Sequence, residues 1–186
     1  KLYAEIRFLN DFKFTVNGAV GTSSRLGHSA SIYYPEKTEV GSSTKTVSFE
    51  TTWTFNQLLS YTKNFGNHHV DVLLGHESYD YEYNYLKGSM QNQTIHNGNF
   101  EFSNYSVPDE QDSYTNTYKT EGFLARANYD YNSRYFLSAS VRRDGSSRFY
   151  KDSRWGTFFS VGAGWRIDEE RFMEDLDFID LLKLRV

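Results

Sequence analysis

The sequence has no cysteine, only two prolines and no long apolar run among its 186 residues. Without cysteine, neither a disulfide framework nor a thiolate metal site is possible. No segment approaches the ~20 apolar residues that a membrane-spanning helix requires, and no basic start followed by a short apolar core marks a signal peptide. The net charge of −4 comes from interspersed acids and bases, which disfavours nucleic acid as a partner.

Aromatic side chains are what the sequence has in excess. They make up 18% of the residues, mostly as 15 Tyr and 15 Phe. Aromatic residues are enriched in β-strands. The chain begins and ends within strand-like patterns, so we expect it to be a fragment of a longer protein.

Alternation of apolar and polar residues is the dominant pattern in the chain. It is clearest in residues 123–131 (FLARANYDY), 135–142 and 155–167. Successive side chains of a strand point to opposite faces, so each segment predicts a strand with one apolar and one polar face. Less regular alternation occurs in residues 2–8, 12–20, 47–61, 70–77 and 182–186. We therefore predict about seven or eight strands.

The connections between these segments alternate in length. Short turns are expected at residues 9–11, 62–67 and 132–133, and long polar loops at 21–45, 78–115 and 143–153. In an up-and-down meander, alternate connections lie at opposite ends of the sheet. Turns at one end and loops at the other are typical of outer-membrane β-barrels.

Residues 168–180, DEERFMEDLDFID, depart from this rule because they form a longer connection on the short-turn side. Phe172, Leu176 and Ile179 have helical spacing, and acidic residues lead the segment. We predict a short helical turn near residues 169–177, with the acids at the positive end of its dipole.

The apolar faces contain many aromatic residues, whereas a soluble sandwich usually fills its inner face with branched aliphatics. Aromatic rings near strand ends suit the interfacial girdles of a lipid-facing wall. The predicted lipid-facing or girdle residues are Tyr131, Tyr135, Trp155, Phe159 and Trp165. A sheet in lipid must close into a barrel. A polar interior would be crowded with only eight strands, so a larger barrel fits better.

Three segments carry a resemblance to a known family. YFLSASVRRDGSSRF (135–149), RWGTFFSVGAGWRI (154–167) and FIDLLKLRV (178–186) resemble the barrel of SusC/RagA-type TonB-dependent outer-membrane transporters. LARANYDYNSRY (124–135) and HHVDVLLGHE (68–77) resemble earlier hairpins of that barrel. The resemblance implies that residues 1–186 are part of one all-β, antiparallel, up-and-down transmembrane barrel of 22 strands, with the plug domain and the TonB box outside this segment.

By resemblance, the whole protein imports a bulky nutrient, an oligosaccharide, a glycan or a peptide, across the cell outer membrane. The implied partners are a SusD-like surface lipoprotein, the TonB–ExbB–ExbD machinery acting through the N-terminal region, and outer-membrane lipid with lipopolysaccharide. No catalysis is expected. Two alternatives remain open: a soluble or surface carbohydrate-binding β-protein or adhesin, and an outer-membrane β-barrel enzyme. The enzyme would need an inward nucleophile–base pair, which the sequence does not reveal.

Two groups of residues are candidates for contact with cargo or with the lumen. Tyrosines alternate at Tyr79, Tyr81, Tyr83 and Tyr85, which predicts a strand extending beyond the bilayer with tyrosines on one face. Their side chains either stack on sugar rings or pack against the next strand. The charged residues expected to face the lumen are Arg126, Asp130, Arg142 and Arg166. These four charges either act on cargo or form ion pairs with one another or with the plug.

The segment SVRRDGSSRFYKDSRWG (140–156) predicts an extracellular basic loop, because Asp144-Gly145 is a turn signal. Its cations are Arg143, Arg148, Lys151 and Arg154. Packing within the loop against Asp144 and Asp152, contact with lipopolysaccharide phosphates, and contact with a partner or cargo are the three hypotheses for these side chains.

Metal and cofactor sites are not indicated. His68 and His69 are adjacent, and neighbouring strand residues face opposite sides, so a turn flank is the better interpretation. Asp109, Glu110 and Asp112 do not fit an EF-hand pattern. We expect no catalytic residue, metal or cofactor, and structural calcium in the loops has no support in the sequence.

Overall fold

The computed structural model describes residues 1–34, 36, 40–173 and 179–186. The described residues form an eight-stranded sheet in which each strand is hydrogen-bonded to its neighbours in sequence. The strands are β1 (Leu2–Phe8), β2 (Phe12–Ser31), β3 (Ser42–Phe65), β4 (His68–Gln93), β5 (Tyr105–Tyr131), β6 (Tyr135–Ser146), β7 (Trp155–Arg166) and β8 (Lys183–Arg185). The prediction of an antiparallel up-and-down β-sheet is confirmed.

The chain divides into two compact units, each built from parts of the sheet. The first unit comprises residues 1–19, 53–79 and 119–186, and the second comprises residues 20–52 and 80–118. No helix in the described part of the chain is long and apolar enough to cross a membrane.

The register of β5, β6 and β7 in the first unit separates an apolar from a polar face. Ala127 pairs with Ala139, which pairs with Val161, and the next row on the same face is Ala125, Val141 and Phe159. The alternate rows place Arg126 beside Ser140 and Ser160. Directly paired residues share a face, so the predicted alternation is confirmed here.

Nothing in the described residues covers the apolar face. Phe159 is 83% exposed and Val161 is 78% exposed, and among the described residues Tyr105 is the one buried hydrophobic side chain. A soluble sandwich would bury Phe159, Val161 and Ala163 between two sheets. This face is therefore exposed as expected for a barrel wall whose apolar side chains contact apolar molecules outside the protein.

Two aromatic rows bound the apolar face. The loop-side row runs from His76 to Phe123 (4.8 Å between ring centroids) and on to Trp155 (6.1 Å). The turn-side row contains His68 and Tyr131 (4.8 Å), Tyr135 (6.2 Å from Tyr131) and Trp165, which pairs with Tyr135.

The spacing of the two rows is comparable to, though smaller than, the apolar band of an outer-membrane barrel, which is about 25 Å tall. Phe123 and Tyr131 are eight residues apart on β5. That separation is about 26 Å along the strand, or about 20 Å along a barrel axis at a tilt near 40°.

Two long loops were predicted where the structure has strands. Residues 21–45 and 78–115 lie mostly within β2, β3, β4 and β5, which are 20 to 27 residues long. The strand extension predicted at the tyrosines of residues 79–85 is confirmed. The loop prediction for the remaining residues was wrong because these segments lack one apolar face, although they are rich in Thr and Tyr, which favour strands. The loop predicted at residues 143–153 also begins later, since β6 continues to Ser146.

The predicted helical turn is replaced by two short 3₁₀ turns in the described residues, Ile167–Glu169 and Arg171–Met173. Residues 174–177 of that prediction lie outside the described residues. Asp168 and Glu169 lie in the first turn of Ile167–Glu169. The Glu170 carboxylate accepts hydrogen bonds from the Tyr135 hydroxyl and from Trp165 Nε1 (3.0 Å), and these contacts lower its pKa.

We expect Gly75→Ala to destabilise the barrel by about 1–3 kcal/mol, since overpacking forces side chains from their rotamers. A Cβ at Gly75 would lie 2.8 Å from Leu124 Cγ and 3.0 Å from Leu58 Cδ2. The measurement is the urea midpoint of the full-length protein folded into vesicles. Leu124→Ala in the same chain should recover part of the loss. Gly18→Ala is the control, because its Cβ would meet its nearest atoms at 3.9 Å, and equal losses at Gly75 and Gly18 would contradict the packing argument.

Candidate functional site

The polar face of the first unit contains a cavity of about 640 Å³. Strands β3 to β7 each contribute to its wall. The wall residues that carry the site are Asn56, Glu77, Tyr79, Arg142, Asp144 and Phe158. We call this cavity the polar-face pocket.

Arg142 organises the charges of the polar-face pocket. Its Nε donates to both carboxylate oxygens of Asp144 at 2.8 Å, and its other end donates to Glu77 at 2.8 Å. The side chain is 47% exposed, so the network contributes little to stability. It instead fixes the directions of two carboxylates, whose remaining oxygen lone pairs can accept hydrogen bonds from hydroxyl or amide groups.

Phe158 supplies an aromatic surface beside these charges. It pairs with Arg142 and is 62% exposed on the polar face. Phe136, the other aromatic exception on this face, has the Lys183 ammonium 3.6 Å from its ring centroid. No ring or cation contact of this kind involves Phe158 within the described ranges, so its ring is open to the cavity.

Two glycines bring the strands of the pocket wall close together. A Cβ at Gly122 would lie 2.6 Å from Asp144 Oδ1, and a Cβ at Gly156 would lie 3.2 Å from the Phe158 ring. Gly122 pairs with Asp144, which pairs with Gly156. The absent side chains leave the carboxylate and the ring exposed above the backbone.

The Phe158 ring lies in the same pocket as the Glu77 and Asp144 carboxylates and the Asn56 amide. Such a surface can bind a polar ligand that has one apolar face, for example a sugar ring or a peptide segment. No group of three or more His, Cys, Asp or Glu residues suited to a metal ion occurs in the parts of the chain that the structure describes.

The other three predicted lumen-facing charges lie outside the polar-face pocket. Arg126 makes a 3.4 Å hydrogen bond to Asn128, and Asp130 accepts the backbone N–H of Ser133 at 2.9 Å. Arg166 donates to Asp168 at 2.5 Å and forms an ion pair with Glu169 at 2.7 Å. The hydrogen bond from Arg166 lowers the pKa of Asp168.

Asp130 therefore serves the tight turn to β6. Asn132 and Ser133 both have φ of +56° in this turn, a conformation that Asn adopts more readily than Ser.

Of the predicted tyrosines, the structure places one in the pocket and the others in the second unit. Tyr79 lines the polar-face pocket. Tyr81 stacks on Tyr118 with ring centroids 4.9 Å apart, and Tyr85 stacks on Tyr114 at 5.0 Å. Tyr83 is also near Tyr114, at 6.0 Å. These contacts favour packing against the next strand over sugar stacking for Tyr81, Tyr83 and Tyr85.

The predicted basic loop is smaller than expected. Arg148, Lys151 and Arg154 lie between β6 and β7, and Arg154 Nε donates to the Phe149 carbonyl at 3.2 Å. Arg143 lies within β6 and not in the loop; it pairs with Phe123 and Thr157 on the apolar face. The prediction placed Arg143 in the loop because two consecutive arginines interrupt the alternation.

Sequence reasoning did not identify Glu77 and Phe158 as site residues. Glu77 lies 65 positions from Arg142 in the chain, so only the strand register brings the two together. Phe158 did leave a signal, since it is an apolar residue on an otherwise polar face.

Comparisons with known proteins agree with this architecture. The family described as TonB dependent receptor-like, beta-barrel matches residues 2–184. The TonB-dependent receptor SusC of Bacteroides thetaiotaomicron is 32% identical over 136 residues, which are 71% of this chain and 13% of SusC. The TonB-dependent receptor P39 of Formosa agariphila is 52% identical over 69 residues, 37% of this chain and 7% of P39.

Solved structures show the same fold. The RagAB peptide transporter superposes with a TM-score of 0.88 at 21% identity, over 98% of this chain and 21% of that chain. The RagAB peptide importer in its open-open state gives 0.87 at 20% identity, over 98% and 20% of the two chains. The chain thus spans about a tenth of the length of its curated relatives.

The two-faced sheet, the aromatic rows and the family match lead to one conclusion: the chain belongs to the TonB-dependent receptor-like β-barrel family, and it forms part of an outer-membrane β-barrel.

Proposed function

We propose that this chain is part of the wall of a transporter that imports a bulky nutrient, an oligosaccharide, a glycan or a peptide, through the barrel lumen. The observation that carries the proposal is the contrast between neighbouring residues of β7. Phe158 opens to the polar-face pocket, whereas Phe159 is 83% exposed on the apolar face. One strand therefore separates a surface suited to lipid from a surface suited to a water-filled lumen.

The polar-face pocket supports a polar, extended cargo. The Phe158 ring can stack on a sugar or a planar peptide group, and the Glu77 and Asp144 carboxylates can accept its hydroxyl or N–H donors. The names of the relatives fit this class, since RagAB is described as a peptide transporter. Both cargo types remain within the proposal.

The partners belong to the same proposal. SusC and RagAB are the relatives that connect this chain with the SusC/RagA type, so we propose a SusD-like surface lipoprotein over the barrel. We propose that TonB–ExbB–ExbD energises transport through a plug and a TonB box elsewhere in the whole protein, with residues 1–186 belonging to the barrel domain alone.

The alternatives from other classes have less support. A soluble carbohydrate-binding β-protein would bury the apolar face that carries Phe159 and Val161, and both are exposed. An outer-membrane enzyme would need a nucleophile beside a base, whereas the pocket places a cation between two carboxylates. We therefore propose transport without catalysis.

The membrane-facing assignment predicts a large cost for a charge at Val161. It lies about midway between the aromatic rows, so Val161→Arg should destabilise the folded barrel by about 2–4 kcal/mol, as expected for Arg at the bilayer midplane. Ser160→Arg, on the opposite face of β7, should cost far less. The measurement is urea unfolding of the full-length protein in lipid vesicles, and equal costs at the two positions would contradict the assignment of faces.

The cargo assignment predicts a specific role for Phe158. Phe158→Ala in the full-length transporter should weaken binding about 3- to 10-fold, the loss expected from one aromatic contact. The probes are fluorescently labelled maltooligosaccharides and labelled tryptic peptides, with affinity measured by fluorescence anisotropy. Phe159→Ala is the matched control and should bind normally. If neither probe class distinguishes the two variants, the pocket is not a cargo site.

The second-unit tyrosines test the sugar-stacking hypothesis separately. Because Tyr81 stacks on Tyr118 and donates to Glu50 at 3.4 Å, Tyr81→Ala should lower the thermal unfolding midpoint and leave cargo affinity unchanged. Tyr83→Ala should behave similarly but with a smaller effect, since its ring contact is longer. Normal stability combined with weakened binding would favour sugar stacking instead.

A further inference from the structure

Arg143 is a cation on the apolar face of the barrel wall. It is exposed, and its register partners on that face are Phe123 and Thr157. The next residue pair toward the middle of the same face is Val141 with Phe159. A charged side chain in contact with hydrocarbon is costly, and this cost falls nearly to zero at the membrane interface.

The level of Arg143 along the wall makes its charge tolerable. It lies beside the loop-side aromatic row of His76, Phe123 and Trp155. Short turns lie at the opposite end of the sheet, and in outer-membrane barrels the short turns are periplasmic. Arg143 is therefore at the level of the outer-leaflet headgroups.

The protein holds the Arg143 guanidinium without neutralising it. The guanidinium carbon lies 5.4 Å from the Trp155 ring centroid. Arg142, its neighbour in sequence, has ion pairs with Glu77 and Asp144. Among the described residues no carboxylate forms an ion pair with Arg143. Glu121, two residues before Phe123, contacts His76 at 3.1 Å instead.

We propose that Arg143 binds a phosphate of lipopolysaccharide at the lipid A headgroup, with Trp155 supporting the guanidinium from one side. Guanidinium forms paired hydrogen bonds with phosphate oxygens, and a ring stacked on its face leaves the N–H edge free for them. The exposed Phe159 and Val161 lie deeper on the same face, where acyl chains of the same lipid can pack. This inference concerns the outer surface of the barrel and is independent of cargo.

The test uses the purified full-length transporter in a phosphate-free detergent. Binding of diphosphorylated lipid A is compared with binding of dephosphorylated lipid A that has the same acyl chains, by native mass spectrometry. The intact protein should prefer the phosphorylated form about tenfold, the effect expected of one charge-assisted hydrogen-bonded contact. Arg143→Gln should remove this preference, and Arg143→Lys should retain part of it, because Lys binds phosphate as a point charge.

Arg126→Gln, on the polar face, is the control and should keep the full preference. Phosphatidylglycerol distinguishes the source of the phosphate. If Arg143 increased the binding of phosphatidylglycerol as much as it increases the binding of diphosphorylated lipid A, lipopolysaccharide would not be the specific ligand. An unchanged preference in Arg143→Gln, or equal binding of the two lipid A forms by the intact protein, would overturn the site itself.

Discussion

The hydrogen-bonding requirement of the backbone governs this structure. In hydrocarbon, an unpaired N–H or C=O group costs several kcal/mol, so a sheet in a membrane must satisfy these groups between strands. Each strand here pairs with its neighbours in sequence. Because the backbone groups are paired within the sheet, the side chains determine what each face of the wall contacts. Successive side chains of a strand lie in turn on the apolar and the polar face.

That division explains how a wall one strand thick can hold a pocket. Residues on the polar face do not have to fill a continuous core, so this face can combine glycines, charges and an exposed ring. Because Gly122 and Gly156 have no side chains, the Asp144 carboxylate and the Phe158 ring stand above the neighbouring backbone. The backbone ladders join the strands, and close packing on the polar face is local, as where Gly75 meets Leu124 and Leu58.

The sequence predicted what depends on local alternation and missed what depends on register. The strands around residues 123–167 and the apolar face that carries Trp155 and Trp165 follow directly from a period of two. The outer parts of β4 and β5 alternate without an apolar face, so hydropathy alone predicted loops there. The contact between Glu77 and Arg142 crosses 65 positions, and no local pattern encodes it. Phe158 was visible only as an exception to the pattern.

Arg142 and Arg143 show that the face of the wall on which a residue lies determines the groups that it contacts. They are adjacent and identical in type, yet one is held between two carboxylates on the polar face and the other lies over an indole ring on the apolar face. A carboxylate beside Arg143 would neutralise it, whereas the aromatic surface leaves its hydrogen-bond donors available. Arg142 and Arg143, which together interrupt the alternation, therefore lie in two different environments. A one-residue shift in strand register would exchange them.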